Sequence, residues 1–216
     1  MTRGVVFFDV DGTLVPDTSS GQHLADLLGH AESLRDAEAA YAAGTLSNRQ
    51  VSVLDARGWT GRTPEQVSRF LDTLPLVRGI DATVHWCRDH ELVPVLATLA
   101  WDVVGEHLCG RFGFVQACGP SLEVVDGSYT GQVMTQFDEW NKLEFARTTA
   151  ADFGFGLADC AAVGDSRSDM PLFAEIGFSI AFNATPAVRA AAHAVADGPD
   201  LQAVVPHLTQ WLGSNR

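Results

Sequence analysis

Short apolar runs alternate along the chain with longer segments whose apolar residues recur at helical spacing. Four runs have the first form, at residues 4–8 (GVVFF), 92–97 (LVPVLA), 160–163 (CAAV) and 178–182 (FSIAF). Continuous apolar runs of this length are typical of strands that are buried on both faces of a parallel sheet. Helix-like segments separate them, such as 80–90, 101–112 and 139–154. This alternation predicts right-handed βαβ units and an α/β fold with a doubly wound, Rossmann-like parallel sheet.

The segment that follows the first strand has a different pattern, that of successive amphipathic helices. The predicted helices cover 22–28, 31–43, 49–57 and 64–71, with Ser20, Ser47 and Thr63 as N-terminal caps and Gly44, Gly58 and Gly61 as breaks. An insertion at this point lies over the carboxyl edge of the sheet, where open α/β sheets bind ligands. We therefore predict a small helical cap domain (16–75) on a core domain (1–15 and 76–216).

Residues 119–136 (GPSLEVVDGSYTGQVMTQ) alternate between apolar and polar types on both sides of a turn dipeptide, Asp126-Gly127. This pattern predicts a β-hairpin flap on the core domain. An Ala-rich helix near 186–193 and a final helix near 200–212 complete the predicted elements.

Composition and charge limit the partners of the chain. The net charge is −13 over 216 residues and no stripe of Lys and Arg is present, which argues against nucleic acid. No apolar segment reaches about 18 residues, which excludes a membrane span. The N-terminus lacks the pattern of a signal peptide, and the four cysteines lack metal or disulfide spacing. We expect a cytoplasmic protein, and no pattern in the chain predicts its oligomeric state.

Two acids, Asp9 and Asp11, follow the first predicted strand, with Gly12 and Thr13 directly behind them. A carboxylate at the open end of a sheet can attack phosphorus if a cation screens the repulsion. A second carboxyl two positions on can protonate the leaving oxygen and then activate water. A solvated polar turn is the alternative, and it is the commoner origin of an isolated Asp-x-Asp-Gly. A calcium loop is disfavoured because no acidic pattern follows at EF-hand spacing.

Later positions in the chain favour the catalytic interpretation. The third apolar run is followed by Asp165 and, four residues later, Asp169. Acidic clusters at two strand ends meet at one sheet edge and offer the hard oxygen ligands that Mg²⁺ prefers. Thr98 ends another strand and Lys142 stands near the start of a helix. A hydroxyl and a cation in these positions are suited to hold a phosphoryl group.

These motifs, in this order, resemble those of the haloacid dehalogenase superfamily of aspartate-nucleophile phosphohydrolases. FFDVDGTL is similar to the first motif, Thr98 to the second, Lys142 to the third and GDSRSD to the fourth. The resemblance covers nearly the whole chain. The helical insertion, the LEVVDGSYTGQV hairpin and the AFNATPAVRAAA segment are similar to the phosphoserine phosphatase-like branch.

The resemblance implies a Mg²⁺-dependent phosphatase that hydrolyses a phosphomonoester of a small metabolite through an aspartyl-phosphate. It implies that Asp9 is the nucleophile and Asp11 the general acid and base. The backbone carbonyl of Asp11 would join Asp9 and Asp165 as a metal ligand. An acid at position 11 distinguishes the chain from the dehalogenase branch, which lacks it because a halide leaves without a proton.

The same resemblance gives roles to three further residues. Thr98 and Lys142 would hold the phosphoryl group during transfer. Asp169 would orient the metal site or Lys142.

The chain departs from the phosphoserine-specific members at the positions that recognise substrate. Those members carry a glutamate where Thr18 stands, an arginine near Asp55, two glycines after the second-motif hydroxyl and an asparagine where Ser168 stands. The candidate substrate-binding residues of this chain are accordingly Thr18, Arg57, Leu99, Trp101 and Ser168. Retained chemistry with altered recognition indicates a substrate other than phosphoserine.

Further residues are weaker candidates. Trp59 and Trp101 are candidate walls of the leaving-group pocket, although packing is the commoner role of a large aromatic side chain. Arg49 and Arg57 are candidates for binding a second anionic group, although a solvated helix face is the commoner origin of such residues. His23 is the histidine nearest the predicted mouth.

Three alternatives to this function stay open at the level of sequence. A phosphotransferase or mutase would use the same aspartyl-phosphate, and the chain could be a phosphoserine phosphatase proper. The third alternative is a binding or regulatory protein that keeps the fold, or a receiver-type domain. Receiver domains have a similar acidic pair and lysine, but they lack the large helical insertion.

Overall fold

The computed structural model describes residues 2–214, which form a five-stranded parallel sheet, a separate hairpin and surrounding helices. In this range the strands are β1 (Gly4–Phe8), β2 (Leu92–Leu96), β3 (Ser121–Val125), β4 (Ser128–Thr135), β5 (Ala161–Gly164), β6 (Phe178–Phe182) and β7 (Ala194–Ala196). The α-helices are α1 (Ser20–Leu28), α2 (Ala31–Ala42), α3 (Asn48–Ala56), α4 (Pro64–Leu71), α5 (Ile80–Asp89), α6 (Asp102–Phe112), α7 (Glu139–Asp152), α8 (Met170–Phe173), α9 (Pro186–Ala191) and α10 (Val205–Ser214). The predicted α/β fold with a parallel sheet core, a helical insertion and a hairpin is confirmed.

The strands of the sheet are buried on both faces, as their continuous apolar composition predicts. In β1, Val6 and Phe8 belong to the core on one face, and Val5 and Phe7 to the core on the other. Side chains in a strand alternate between faces, so a half-polar strand would leave one of these two cores incomplete. Helices α5, α6 and α10 contribute to the first core, and α7 and α8 to the second.

The strands lie in the order β2-β1-β5-β6-β7, so the chain adds strands first on one side of β1 and then on the other. The chain first crosses from β1 to β2 on one side and later returns to place β5 on the other side of β1. Phe8 is paired with Leu96 of β2 and with Val163 of β5, so these three strands end side by side. The loops after them therefore meet at one edge, the position where doubly wound sheets bind ligands.

Helices α1–α4, here called the helical insertion (20–71), lie between β1 and β2 in the chain. Ser47 and Thr63 cap α3 and α4, each in a capping box with the glutamine three residues later. The prediction of Ser20 as the cap of α1 was wrong. Ser19 is the cap and accepts the N–H of Gln22 at 2.8 Å, because its backbone is extended whereas Ser20 is already helical.

The hairpin β3–β4 contacts the helical insertion. Asp126 and Gly127 have φ of 49° and 75°, as a two-residue type I′ turn requires. The N–H of Gly61 donates to the carbonyl of Tyr129 (2.9 Å), and the Tyr129 N–H donates to the carbonyl of Arg62 (2.8 Å). The hairpin and the insertion thus enclose one side of the sheet's carboxyl edge together.

One strand was missed by the sequence prediction. The three residues of β7 pair in parallel with β6 and extend the sheet. Within the described part of the chain, no helix combines the length and the apolar character that crossing a membrane requires.

Candidate active site

The loop after β1 turns back on itself and brings the first motif against the loop after β5. The N–H groups of Thr13 and Leu14 both donate to the carbonyl oxygen of Val10, at 3.2 and 2.7 Å. Gly12 has φ of 84°, and a Cβ atom at this position would overlap the Asp165 carboxylate. Glycine at position 12 therefore permits both the turn and the close approach of the two loops.

Asp9 and Asp11 stand at the edge of the sheet and line one cavity. Asp9 is 4% exposed, and its N–H donates to the carbonyl of Val163 in β5 (2.9 Å). Asp11 is half-buried, and its Oδ1 accepts the N–H of Ser20 at 2.6 Å. The backbone of Asp9 is therefore fixed to the core sheet, whereas the carboxylate of Asp11 contacts the start of the helical insertion.

The loop after β5 adds two more carboxylates. Asp169 Oδ2 accepts the N–H groups of Asp165 (3.0 Å) and Ser166 (3.1 Å), which folds this loop into a compact turn. A Cβ atom on Gly164 would overlap the carboxylate of Asp169. Thr13 Oγ1 donates to Asp165 Oδ1 at 3.1 Å, which ties the two acidic loops together.

Lys142 supplies the positive charge beneath these acids. It is the only lysine in the sequence and is 1% exposed. Its Nζ donates to Asp9 Oδ1 at 2.9 Å and to Asp169 Oδ1 at 2.6 Å. Helix α7 places it there: Asp138 caps the helix in a capping box with Asn141, one residue before the lysine. An ammonium buried among carboxylates stays charged, as a phosphoryl-binding cation must.

Burial and crowding disfavour the ionised carboxylates of this site. Burial, with the Asp169 charge in addition, raises the pKa of Asp9 to about 7 although Lys142 opposes the shift. Burial, with Asp9 and Asp169, raises the pKa of Asp165 to about 8. Burial also raises the pKa of Asp11, against the hydrogen bond from Ser20. The site is therefore short of positive charge even with Lys142 in place.

These carboxylates fit a divalent cation. One oxygen from each of Asp9, Asp165 and Asp169 lies within 4.8 Å of the other two. Both oxygens of Asp169 already accept hydrogen bonds, from Lys142 and from two backbone amides, whereas Asp9 and Asp165 each retain an oxygen without such a bond. Carboxylate oxygens are the ligands that Mg²⁺ prefers, and such an ion would supply the missing charge.

Thr98 completes the group from the end of β2. Its side chain is buried, and its Oγ1 accepts the N–H of Ala100 at 3.1 Å. The N–H of Ala97 donates to the carbonyl of Phe8 (2.9 Å), so the end of β2 is fixed beside the first motif. The hydroxyl proton of Thr98 is left to donate to an oxygen in the cavity.

A cavity of about 690 Å³ lies between the sheet edge and the helical insertion. The predicted site residues that line it are Asp9, Asp11, Thr18, Thr98, Leu99, Trp101, Asp165 and Ser168. Lys142 and Asp169 lie behind these residues and contact Asp9 and Asp165. The structure thus gathers every predicted site residue except Arg57 around one cavity.

Polar contacts hold the helical insertion against the core beside this cavity. Arg49 pairs with Asp138 at 2.6 Å, and Asn48 Nδ2 donates to the carbonyl of Phe137 at 3.1 Å. Arg167, in the loop after β5, donates to the carbonyl of Tyr41 and lies 4.4 Å from the centre of its ring. These contacts fix the helical insertion at the edge of the cavity.

Comparison with known proteins identifies the family. The sequence model of the haloacid dehalogenase-like hydrolases matches residues 6–174, more than three quarters of the chain. The chain belongs to this family. The resemblance carried by the four motifs is thereby confirmed, and the chain is an enzyme of the hydrolase class.

Curated relatives of this haloacid dehalogenase-like hydrolase are named phosphoserine phosphatases. That of Streptomyces coelicolor is 27% identical over 202 residues, which cover 93% of this chain and 49% of the relative. That of Mycobacterium tuberculosis is 26% identical over 211 residues, with 94% and 50% covered. The chain spans about half the length of these two relatives. The phosphoserine phosphatase of Methanocaldococcus jannaschii is 24% identical over 212 residues, with 95% and 98% covered.

Solved structures share the fold of this haloacid dehalogenase-like hydrolase. A phosphoserine phosphatase described as a phospho-aspartyl intermediate analogue superimposes with a TM-score of 0.85 at 23% identity, covering 96% of this chain and 99% of the other. A substrate-bound phosphoserine phosphatase complex gives the same values. Likeness at this level of identity establishes the fold alone.

Several candidates from the sequence lie elsewhere in this haloacid dehalogenase-like hydrolase. Arg57, predicted as a substrate-binding residue, is exposed and is not part of the cavity wall in this structure. It follows the last turn of α3, whose buried face ends at Asp55 and Ala56. Arg49 forms the contact with the core described above. His23 bonds to Thr73 Oγ1 (3.0 Å), just after the end of α4.

The sequence prediction missed part of the cavity wall. Glu38 and Tyr41, on one face of α2, line the cavity, as does the buried acid Asp55 of α3. Asp55 accepts hydrogen bonds from His30 (2.5 Å), Trp59 (3.4 Å) and Trp101 (2.6 Å). The spacing of Leu34, Glu38 and Tyr41 in α2 was the available signal, since an acid within an apolar stripe indicates a functional face.

Proposed function

We propose that this haloacid dehalogenase-like hydrolase is a Mg²⁺-dependent phosphatase. It hydrolyses a phosphomonoester of a small metabolite through an aspartyl-phosphate on Asp9, and its substrate is a compound other than phosphoserine. The observation that carries the proposal is the position of Asp9: its carboxylate lines the cavity and is bonded from behind by the only lysine of the chain. A carboxylate with a buried cation at its back is suited to attack phosphorus.

The chemistry proceeds in two displacements at phosphorus. A carboxylate oxygen of Asp9 forms a bond to phosphorus while the bond from phosphorus to the alcohol oxygen breaks. Asp11, as the carboxylic acid, gives its proton to the departing oxygen. The resulting Asp11 carboxylate takes a proton from water, whose oxygen attacks phosphorus and releases Asp9. The raised pKa of Asp11 suits both roles, because the group must be protonated in one step and ionised in the next.

The other residues of the site bind charge and fix geometry. Thr98 and Lys142 donate to the phosphoryl oxygens as they gain negative charge. Mg²⁺, held by the carboxylates of Asp9 and Asp165 and the backbone carbonyl of Asp11, would screen these carboxylates from the phosphoryl oxygens. Asp169 acts as a support, since its oxygens are occupied by Lys142 and by the amides of the same loop.

Removal of divalent metal is expected to stop turnover reversibly. EDTA should lower phosphate release from p-nitrophenyl phosphate by about 10²-fold or more, because Asp9 and Asp165 would then face the phosphoryl oxygens unscreened. Excess Mg²⁺ should restore the rate, whereas Ca²⁺, which adopts looser geometry, should not. Full activity after exhaustive metal removal would contradict the metal-dependent mechanism. Circular dichroism of the EDTA-treated protein serves as the control for folding.

Asp11→Asn is expected to separate the two displacements. The nitrophenolate group leaves without a proton, so phosphorylation of Asp9 should persist, whereas attack by water should lose its base. We expect a burst of about one nitrophenolate per site, followed by a rate at least about 10²-fold below that of the unaltered enzyme. Stopped-flow absorbance measures both phases. Unchanged steady-state turnover would show that Asp11 is not the base.

The exclusion of phosphoserine rests on the acid Asp55 in the cavity wall. At the place that the resemblance gives to the arginine of phosphoserine-specific members stands Asp55, whose carboxylate is engaged by two tryptophans and a histidine. Arg57 is the basic residue nearest to this position in the sequence. It is exposed and does not line the cavity, so in this proposal it does not bind the substrate. Thr18, Leu99, Trp101 and Ser168 line the cavity and form its substrate-contacting surface in this proposal.

The proposal includes the division of the chain predicted from the sequence. Residues 16–75 act as a cap that excludes water from the reaction, and residues 1–15 and 76–216 carry the chemistry. The contacts of Arg49, Asn48 and Arg167 with their partners support this role, because they hold the cap against the core beside the cavity. A cytoplasmic location stays a prediction from the sequence.

A further inference from the structure

The wall of the cavity formed by α1 and α2 has the chemistry of an ammonium-binding site. We propose that the preferred substrates are phosphate esters of amino alcohols that carry an ammonium group and no carboxylate, and that Glu38 is the residue that selects the ammonium. This inference rests on the proposed phosphatase function and specifies its substrate class.

Charges on the insertion side of the cavity are predominantly negative. Its acids are Asp17, Asp26, Glu38 and Asp55. Two arginines share this surface, but Arg35 is exposed and Arg167 is engaged with the carbonyl of Tyr41 and with Glu139. A carboxylate on the leaving group would therefore meet four acids against one exposed arginine, Arg35, whereas an ammonium would meet mainly opposite charges.

Glu38 is the partly shielded acid of this wall without a protein cation, whereas Asp17 and Asp26, which also lack one, are exposed to solvent. Glu38 is half-buried, and its Oε1 accepts the hydroxyl of Ser19 at 2.5 Å. Within residues 2–214 no lysine, arginine or histidine forms a salt bridge with it. Burial, with the charges of Asp11 and Asp55, raises the pKa of Glu38 to about 7 against the hydrogen bond from Ser19. A partly buried carboxylate of this kind gains most from a cation that arrives with the ligand.

Two further polar groups on the same wall have no partner, one an acceptor and the other a hydroxyl that can accept or donate. The Oε1 atom of Gln22 and the hydroxyl of Tyr41 are shielded from solvent and form no hydrogen bond within the part of the chain that the structure describes. The amide nitrogen of Gln22 is already bonded to Asp26 and to the carbonyl of Ala31, which leaves the oxygen as the free group. Shielded polar atoms are normally paired, so both atoms are available for a hydrogen bond with a ligand.

An ammonium group matches these acceptors in number and kind. It has three N–H donors and no acceptor, and the wall offers the carboxylate of Glu38 and the oxygens of Gln22 and Tyr41. A hydroxyl brings one donor to the same wall, and a carboxylate brings none. The set of unpaired acceptors thus favours an ammonium independently of the overall charge.

The position of Glu38 relative to the reaction fits a short amino alcohol. Adjacent residues at the start of α1 hold the two carboxylates: Ser19 donates to Glu38, and the N–H of Ser20 donates to Asp11. A group bound by Glu38 therefore lies a few bonds from the oxygen that Asp11 protonates. Asp55 fixes the Trp101 indole in the cavity wall through the 2.6 Å hydrogen bond, and in this proposal that wall limits the length of the leaving group.

The test compares three esters that differ in one group each. kcat/KM is measured for aminoethyl phosphate, hydroxyethyl phosphate and O-phosphoserine with the full chain, Mg²⁺ and released phosphate as the readout. We expect aminoethyl phosphate to exceed each of the other two by about tenfold or more. In Glu38→Gln, which can still accept the Ser19 hydrogen bond, the ratio of aminoethyl to hydroxyethyl phosphate should fall about tenfold. That fall should come from the aminoethyl ester alone.

Glu65→Gln is the matched control, since Glu65 is exposed on α4 and pairs with Arg69 outside the cavity. It should leave the ratio unchanged. Equal use of the aminoethyl and hydroxyethyl esters, or an unchanged ratio in Glu38→Gln, overturns the inference while turnover of p-nitrophenyl phosphate upholds the phosphatase function. Absence of phosphate release from every ester, p-nitrophenyl phosphate included, overturns the proposed function and this inference with it.

Discussion

Asp9→Asn is expected to lower kcat for p-nitrophenyl phosphate by about 10⁴-fold or more, because an amide oxygen is a poor nucleophile and no other residue replaces it. The stability of the protein should change little, since the amide oxygen can still accept from Lys142 and the lysine keeps its bond to Asp169. Steady-state assays with Mg²⁺ measure the rate, and thermal unfolding by circular dichroism measures the stability.

A matched control for this variant lies on the surface of α7. Asp152 is exposed, so Asp152→Asn makes the same chemical change away from the cavity and should retain full activity. If Asp9→Asn kept a tenth or more of the activity of the unaltered enzyme, Asp9 would not be the nucleophile. A folded Asp9→Asn protein that has lost turnover is the result that supports its role.

Lys142→Met is expected to have the second largest effect, and it should act on both activity and stability. Without the ammonium, Asp9, Asp165 and Asp169 face one another with no cation from the protein. Removing one partner of a buried ion pair typically costs about 3–5 kcal/mol in the free energy of unfolding. Loss of a donor to the phosphoryl oxygens should also lower kcat by about 10²-fold or more. Urea unfolding in EDTA and phosphatase assays in Mg²⁺ measure the two effects.

A second substitution distinguishes charge repulsion from lost packing. Lys142→Met combined with Asp169→Asn removes one of the opposed acids, so it should recover at least about 1 kcal/mol of stability while activity stays low. Arg147→Met on the same helix is the control, because Arg147 is exposed and its pairs with Glu144 and Glu175 lie at the surface. It should leave the urea midpoint nearly unchanged. A double variant less stable than Lys142→Met would contradict the electrostatic explanation.

The sequence predicted the sheet well because its strands are buried on both faces. Continuous apolar runs such as GVVFF in β1 have few alternative structures, and the acids directly behind them marked the carboxyl edge. The strand β7 was missed because Ala194–Ala196 is short and carries a single β-branched residue, so no local pattern separates it from a loop. Its pairing with β6 depends on tertiary structure.

The grouping of the candidate site residues at one sheet edge was predictable from the sequence, whereas the orientation of the insertion helices was not. Asp9, Thr98 and Asp165 stand at fixed offsets from strand ends, and the topology of the sheet brings strand ends together. The exposure of Arg57 outside the cavity wall was not predictable because α3 buries polar residues, Ser52 and Asp55 among them, so its apolar pattern does not reveal which face meets the cavity. Helix orientation in the insertion is set by packing between elements that are distant in the chain.

Two adjacent serines at the start of α1 have different hydrogen-bond partners in the site. The sequence analysis placed the helix cap at Ser20, one residue too late. In the structure Ser19 caps the helix and bonds Glu38, whereas the backbone of Ser20 bonds Asp11. The hydrogen bonds to Glu38 and to Asp11 therefore both depend on the exact position at which α1 begins.

The most direct test of the central claim is chemical identification of the phosphorylated residue. Asp11→Asn is mixed with p-nitrophenyl phosphate and Mg²⁺, quenched in acid after the burst, reduced with borohydride and analysed by peptide mass spectrometry. An aspartyl-phosphate is reduced to homoserine, so the mechanism predicts homoserine at position 9 in an amount equal to the burst, and none without substrate. A full burst with homoserine at another position, or with Asp9 unmodified, would contradict it.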